Sequence, residues 1–466
     1  MKMTATYIVP LFLALAFPIQ AVPQNSALSS QQQLARDIFR ELVEINTTLN
    51  IGSTKAAQAM AARLRDAGFS ESEMTLAGPR HQNQNLVVRY HGTGIHRPIL
   101  FIAHLDVVEA FRSDWSFDPF QFLEKDGFFY GRGTSDMKNE AAEIVANFIR
   151  LKKEGFVPNR DLILALTDHE EGGDANGIQW LLANRRDLIN AEFAINLEGG
   201  GGAMRNGKPV GMAIQTSEKV YVSFQLEVKN KGGHSSLPVR DNAIYRLAAG
   251  LTRLSQYDFP IRLNETTRLF FERTAQQEEG QIKSDMVTVS RTPIDESAAN
   301  RLAAANPAYN AMMRTTCVAT MLAGGHAENA LPQSARATVN CRMLPDDSQE
   351  NVAATLNRIL ADNQISVTQL APAPSSPLSS LREDVTDAVE RLTVSMWPGV
   401  PVTPFMSTGA SDGRFLRSAG IPVYGVSGMF DDVDDIRAHG RDERIGVKQF
   451  YNGVEFMYRF IRLLTQ

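Results

Sequence analysis

Apolar and polar positions along this chain change their period several times. Residues 31–46, "QQQLARDIFRELVEIN", place Leu34, Ile38, Leu42 and Ile45 at helical spacing. A second helix is predicted from about Ser53 to Gly68, where the glycine stops it. "NLVVRY" and "PILFIAHLDVV" then read as strands. The second is almost continuously apolar, as a strand covered on both faces should be. A helix from about Asp136 to Lys153 comes next, then the buried strand "DLILALTDHEE", the helix "GIQWLLANRRDL" and the short strand "FAINLEGG". Strands alternating with helices predict an α/β layer fold: a mainly parallel sheet with helices on both faces. In such sheets chemistry gathers beyond the C-terminal ends of the strands.

The pattern changes near residue 217. "KVYVSFQLEV" alternates like a half-exposed strand, and the helix "NAIYRLAAGLTRLSQ" follows. Residues 260–316 read as a mostly helical, polar insertion. "CVATMLAGG" and "ARATVNCRML" are predicted to pair as a hairpin, ahead of a helix near "ENVAATLNRIL" and a strand "ISVTQL". This predicts an inserted α+β lid or dimerisation domain at 216–372, interrupting a catalytic domain made of 32–215 and 373–466. The Pro- and Ser-rich "APAPSSPLSS" marks the return.

A length of 466 residues allows two or three domains, and a net charge of −5 with no basic tract argues against nucleic acid as a partner. "MKMTATYIVPLFLALAFPIQA" has the lysine, apolar stretch and small residue of a secretory leader, cleaved after Ala21. Pro10 and Pro18 interrupt it, which favours export over an uncleaved anchor. The mature protein is thus expected outside the cytoplasm, periplasmic or secreted, without stable membrane association. Cys317 and Cys341 are the two cysteines, each twelve residues from Asn329. If the hairpin turns near Asn329 they face each other and form a disulfide; two separate buried thiols are the other reading.

Five features fall at strand ends or in the loops after them. In "AHLDVV", His104 and Asp106 are two apart, hence on one face of a strand, so Asp106 could orient His104. In "GRGTSDMKNE", Asp136 stands at a helix start, where an N-cap is the plain alternative. "TDHEEGG" sets Glu170 beside Glu171, "NLEGGGG" ends a strand on Glu198, and "RAHGRDER" carries His439. Each alone reads as a solvated loop residue. Together, two histidines and three carboxylates suit a pair of zinc ions bridged by Asp136.

That ordered set resembles the co-catalytic di-zinc peptidase and deacylase family, which includes carboxypeptidase G-type enzymes, acetylornithine deacetylase, aminoacylases and carnosine dipeptidases. The resemblance implies that His104, Asp136 and Glu198 hold one zinc, and Asp136, Glu171 and His439 the other. It implies Glu170 as general base, with Asp106 orienting His104. It places His234 of "GGHSS" in the partner subunit's active site, which requires a homodimer. It assigns Asn329, Arg342 and the backbone near Gly409 to substrate contact. Asn139 and His169 depart from the family pattern at positions not expected to ligate metal. The implied reaction is hydrolysis of an amide beside a free carboxylate, in a dipeptide, short peptide or N-acyl amino acid. Cobalt or manganese could replace zinc at such sites. A phosphoesterase would want a phosphate-cradling motif, which is absent, and a binding protein with a dead site would not need all seven core residues.

Overall fold

The computed structural model describes residues 27–466. The expected leader, 1–21, lies outside the described residues. Among the described residues no helix is long and apolar enough to cross a membrane.

A ten-stranded sheet forms the larger layer. Strand His96–His104 lies at its heart, parallel to Arg160–Thr167 on one side and to Phe193–Asn196 on the other. Val423–Gly425 continues the parallel run. Antiparallel pairs close the flanks: Met74–Arg80 with Asn83–Tyr90 at one edge, and the hairpin of Gly201–Arg205 with Lys208–Glu218 toward the other. The sequence reading missed that hairpin, because its glycines and Pro209 obscure the alternation.

Helices cover both faces. On one, Ser30–Glu44, Lys138–Lys153 and Val447–Thr465 pack through Phe39, Leu42, Ile144, Phe148, Phe450 and Phe460. Helix Ser30–Glu44 starts where Ser29 and Gln32 cap it reciprocally. On the other face Gly177–Asn184 and Gly413–Ser418 pack through Ile178, Leu181 and Leu416 against Leu100, Ile102 and Ile163. "GIQWLLANRRDL" is two helices, not one, because Arg185 leaves helical dihedrals at φ −143°, ψ 45°.

A second, four-stranded antiparallel sheet runs in the order Thr316–Gly324, Ser334–Met343, Val220–Lys229, Ile365–Gln369. Helices Ala243–Ser255 and Gln349–Leu360 bury Leu247 and Leu356 against its Phe224, Leu226 and Val339. Cys317 and Cys341 sit directly opposite in the first ladder and are joined by a disulfide. Residues 260–316 hold four short helices, but they are not simply polar. Phe271, Met286, Val289, Leu302 and Met313 make a core of their own. This subdomain also touches the large sheet: Arg273 Nη1 donates to the Val402 carbonyl at 2.8 Å, and Met312 packs with Leu344 and Met406.

Candidate metal centre and active site

The C-terminal ends of the parallel strands deliver most of the acids. Strand His96–His104 ends on His104 itself, so Asp106 is already off the strand. The expected shared strand face is corrected accordingly, although the Asp106 carboxylate still lies beside the imidazole. His104 Nδ1 lies 3.0 Å from the Asp106 backbone carbonyl and 3.6 Å from its carboxylate. That carboxylate also accepts the backbone N–H groups of Glu170 at 3.1 Å and Glu171 at 3.0 Å. Asp106 therefore anchors the loop bearing the paired glutamates. Asp168 anchors it from the other side, accepting from Ser53 Oγ at 2.7 Å and Asn83 Nδ2 at 2.8 Å.

Asp136 precedes the helix rather than capping it; the N-cap is Met137. Its loop is tight. Gly133 has φ +84°, and a Cβ there would lie 2.9 Å from both Lys138 Cδ and Val107 Cγ1. Buried Glu443 shapes this loop, accepting N–H groups from Gly133 at 3.2 Å, Ser135 at 2.7 Å and Asp136 at 3.0 Å. Arg132 Nη1 supplies its countercharge at 2.5 Å. Arg132 Nη2 also reaches the His439 carbonyl at 3.3 Å, tying the loop of one candidate ligand to that of another.

The result is a compact donor set. Asp136 Oδ1 is 3.1 Å from His104 Nε2, and Asp136 Oδ2 is 3.1 Å from His439 Nε2. His439 Nε2 is also 2.9 Å from Glu171 Oε1. Donor atoms of His104, Asp136 and Glu171 lie within 4.8 Å of one another, as do those of His104, Glu170 and Glu198. Asp136 thus stands between the two imidazoles. Glu170 converges with Glu198 and His104 instead of standing apart.

The electrostatics are those of crowded acids. Burial, reinforced by Glu198, pushes the Glu170 carboxyl well above the usual range. Burial and then Asp136 push Glu198 up to about 8. Burial opposes ionisation of Asp136, but hydrogen bonds to His104 and His439 outweigh it and hold the carboxyl low. The pairings with Asp136 and then Glu171 lift His439 to about 10.

The expected substrate residues fall in two places. His234 and Asn329 are neighbours at the exposed tip of the smaller domain, where the Ser235 N–H donates to the Asn329 carbonyl at 3.0 Å. Arg342 lies near the other end of strand Ser334–Met343, roughly 27 Å away at 3.4 Å per residue. Its guanidinium is part-buried over the Tyr221 ring at 4.7 Å. Gly409 belongs to an exposed turn in which its N–H donates to Ser407 Oγ at 3.1 Å. The next turn is fixed by Ser411, whose N–H and hydroxyl donate to Glu218, itself in a buried ion pair with Arg417.

Sequence reading missed Glu443, Arg132, Glu218, Arg417 and Asp412. Asp412 accepts from Thr167 Oγ1 at 3.0 Å and Asn176 Nδ2 at 2.6 Å beneath the glutamate loop. Charged residues inside otherwise apolar or glycine-tight stretches are the only trace they leave.

The peptidase family M20/M25/M40 matches residues 100–463, which span the whole donor set. The chain belongs to that family. It is 31% identical over 379 residues to the human N-fatty-acyl-amino acid synthase/hydrolase PM20D1, covering 78% of this chain and 74% of that protein. It is 28% identical over 399 residues to a probable carboxypeptidase S-like 2 of Dictyostelium discoideum, covering 82% and 74%. Among solved structures, an M20 family metallo-carboxypeptidase from Sulfolobus solfataricus superposes with a TM-score of 0.69 at 18% identity, covering 92% of this chain and 99% of that one. The chain is therefore an M20 metallohydrolase, from a family that binds a dinuclear metal centre. The residues present fit such a centre. Hard carboxylate and imidazole donors converge with too little positive charge among them, and an oxygen- and nitrogen-binding divalent cation supplies it.

Proposed function

We propose that this protein is an exported di-zinc exopeptidase of dipeptidase or carboxypeptidase type that cleaves an amide next to a free carboxylate. The observation that carries this reading is Arg342. It is part-buried, stacked, and takes no carboxylate partner among the described residues. A guanidinium so placed suits two-pronged pairing with the carboxylate of a substrate. His104, Asp136 and Glu198 would hold one zinc, and Asp136, Glu171 and His439 the other. When bound, the cations supply Lewis acidity toward the amide carbonyl and make water easier to deprotonate.

Glu170, with its raised affinity for protons, takes the proton of the attacking water and returns it to the leaving amine. Asp106 keeps Glu170 and Glu171 aimed by gripping their backbone N–H groups. His234 would donate a hydrogen bond to the developing oxyanion. A substrate on Arg342 lies a strand's length from His234 of its own chain, which speaks against that chain's His234. The separation favours the partner subunit's His234 in this role. The apolar edge strand Thr316–Gly324, with Val318, Met321 and Leu322 exposed beside Ile244 and Tyr245, supports a homodimer. The leader pattern and the disulfide support export.

A second reading, N-acyl-amino-acid hydrolysis, is favoured by the similarity to PM20D1. It uses the same carboxylate recognition. The test is a panel of dipeptides, their C-terminal amides and N-acyl amino acids against zinc-loaded protein, with and without chelator. Chelator-sensitive turnover of free dipeptides supports the first reading, and turnover of acyl amino acids alone the second. Equal turnover of the amidated peptides would refute carboxylate recognition. Mixing inactive His234→Ala and Glu170→Gln chains should restore about a quarter of wild-type activity through mixed dimers. No recovery would refute the shared site.

A further inference from the structure

A cavity of about 290 Å³ opens beside Asp136 and Glu198, lined by residues of the larger domain. Phe128, Met429 and Ile436 give it apolar walls. Its charged lining is unbalanced. Arg437 and Arg444 are both spent on Asp435. Glu140 and Asp431 also face the cavity and take no cation among the described residues. Glu140 is only 7% exposed, and its Oε2 has no hydrogen-bond partner. Glu143, one turn further along the helix, is fully buried with neither oxygen partnered, so nothing behind Glu140 compensates it. An unpartnered buried carboxylate is costly and calls for a cation or a donor.

We infer that this cavity is the subsite for the acyl half of the substrate, and that Glu140 and Asp431 select a basic side chain there. The inference rests on the amide-hydrolase reading above. The two candidate metal ligands at the rim put the scissile carbonyl at the mouth of the cavity. Glu140 lies four residues beyond Asp136, in the first turn of the helix that begins at Lys138. A lysine side chain has four methylenes to cross that offset, whereas an α-ammonium stays beside the carbonyl. A third metal ion is the poorer occupant. The only sets of three donors close enough to ligate, among the described residues, are those built on His104. Burial and then Glu143 raise the Glu140 carboxyl, and burial and then Asp136 raise Asp431 to about 6 although its side chain is partly open to solvent. Both shifts follow from burial and from neighbouring acids. Two acids in the cavity wall also disfavour a long fatty acyl chain.

The test compares kcat/KM for lysyl-alanine with that for norleucyl-alanine, which keeps the chain and lacks the charge, on metal-loaded full-length protein. Wild type should prefer lysine by about tenfold or more, and Glu140→Gln should cut that ratio to below about threefold. Asp431→Asn, on the cavity surface, should shift it in the same direction and guards against misfolding of the first variant. A wild-type ratio near one, or a ratio unmoved in both variants, would overturn the inference. Nα-acetylated forms of both peptides should keep the preference; its loss would assign the acids to the α-ammonium and refute a side-chain subsite. If no amide is turned over, the hydrolase reading has failed and the subsite is judged by calorimetry. Lysyl-alanine binding that is selective over norleucyl-alanine and lost in Glu140→Gln would uphold it, and equal binding would sink it.

Discussion

Replacing Glu443 with glutamine should damage the site without touching any candidate ligand. The native carboxylate is fully buried and both oxygens are occupied: Oε1 by the N–H groups of Ser135 and Asp136, Oε2 by Gly133 N–H and Arg132. Glutamine has nearly the same shape, but one end becomes a donor. Whichever way it turns, two of these four donors then face an NH2 group. Arg132, 2% exposed, also loses its countercharge. Breaking one side of a buried pair costs about 3–5 kcal/mol, so the variant should be destabilised by that order. The loop would no longer hold Asp136 in place, and loss of such supporting contacts lowers metal affinity about 10–100-fold. Urea unfolding of the metal-free proteins measures the first effect, and competition with a chromophoric chelator the second. Adding Arg132→Met should recover part of the stability, because the stranded charge is gone, but not the metal affinity. A Glu443→Gln protein with wild-type midpoint and wild-type affinity would refute the reasoning. So would a double variant that loses as much as the two single changes added together.

Other outcomes follow from the same contacts. Glu170→Gln should retain both metals by elemental analysis yet lose at least about a hundredfold in kcat, whereas Glu171→Ala should lose metal; equal metal content in the two would contradict the division of labour. Burial raises the Glu143 carboxyl well above its ordinary range, so the folded state keeps a proton that the unfolded state releases. Its favourable contribution is complete below the unfolded carboxyl range and is lost as pH rises toward the folded value. Glu143→Gln should therefore gain thermal stability over wild type increasingly with pH, and parallel melting curves across pH would refute it. Replacing Cys317 and Cys341 by alanine opens a link spanning 24 residues and should cost about 3.5 kcal/mol in chemical unfolding; an unshifted midpoint would show the bond is not formed in solution. Arg417→Met strands buried Glu218 and should cost about 3–5 kcal/mol, with KM raised through the Ser411 turn; unchanged stability and KM would dismiss the pair.

The parallel core was legible because a strand covered on both faces leaves an unbroken apolar run, and the chemistry then shows as an acid or histidine where the run stops. His104, Glu170, Glu171 and Glu198 all announce themselves in that way. His439 follows no strand of that kind, and only its place in the ordered set marked it. The helical subdomain hid its core because Phe271, Met286, Val289 and Leu302 are spread over three helices of ten residues, too short for a period to repeat. Arg132 and Glu443 are 311 residues apart, and no local pattern encodes such a partnership.

Those distant partners explain how the chain tolerates so many acids in one place. Asp106 is satisfied by two backbone N–H groups, Asp168 by Ser53 and Asn83, Asp412 by Thr167 and Asn176, and Glu443 by Arg132 and its loop. Each of these is hydrogen-bonded within the protein, Glu443 with a countercharge as well, and each fixes a segment carrying a candidate ligand. Among the described residues, Asp136, Glu170, Glu171 and Glu198 are left with only His104 and His439 for positive charge. The fold thus satisfies its positioning acids internally and leaves the converging set deficient. Divalent cations correct that deficit when they bind, and a neutral occupant could not. The same deficit continues into the cavity through Glu140 and Asp431. One unbalanced field therefore serves both the metal centre and the choice of what lies beside it.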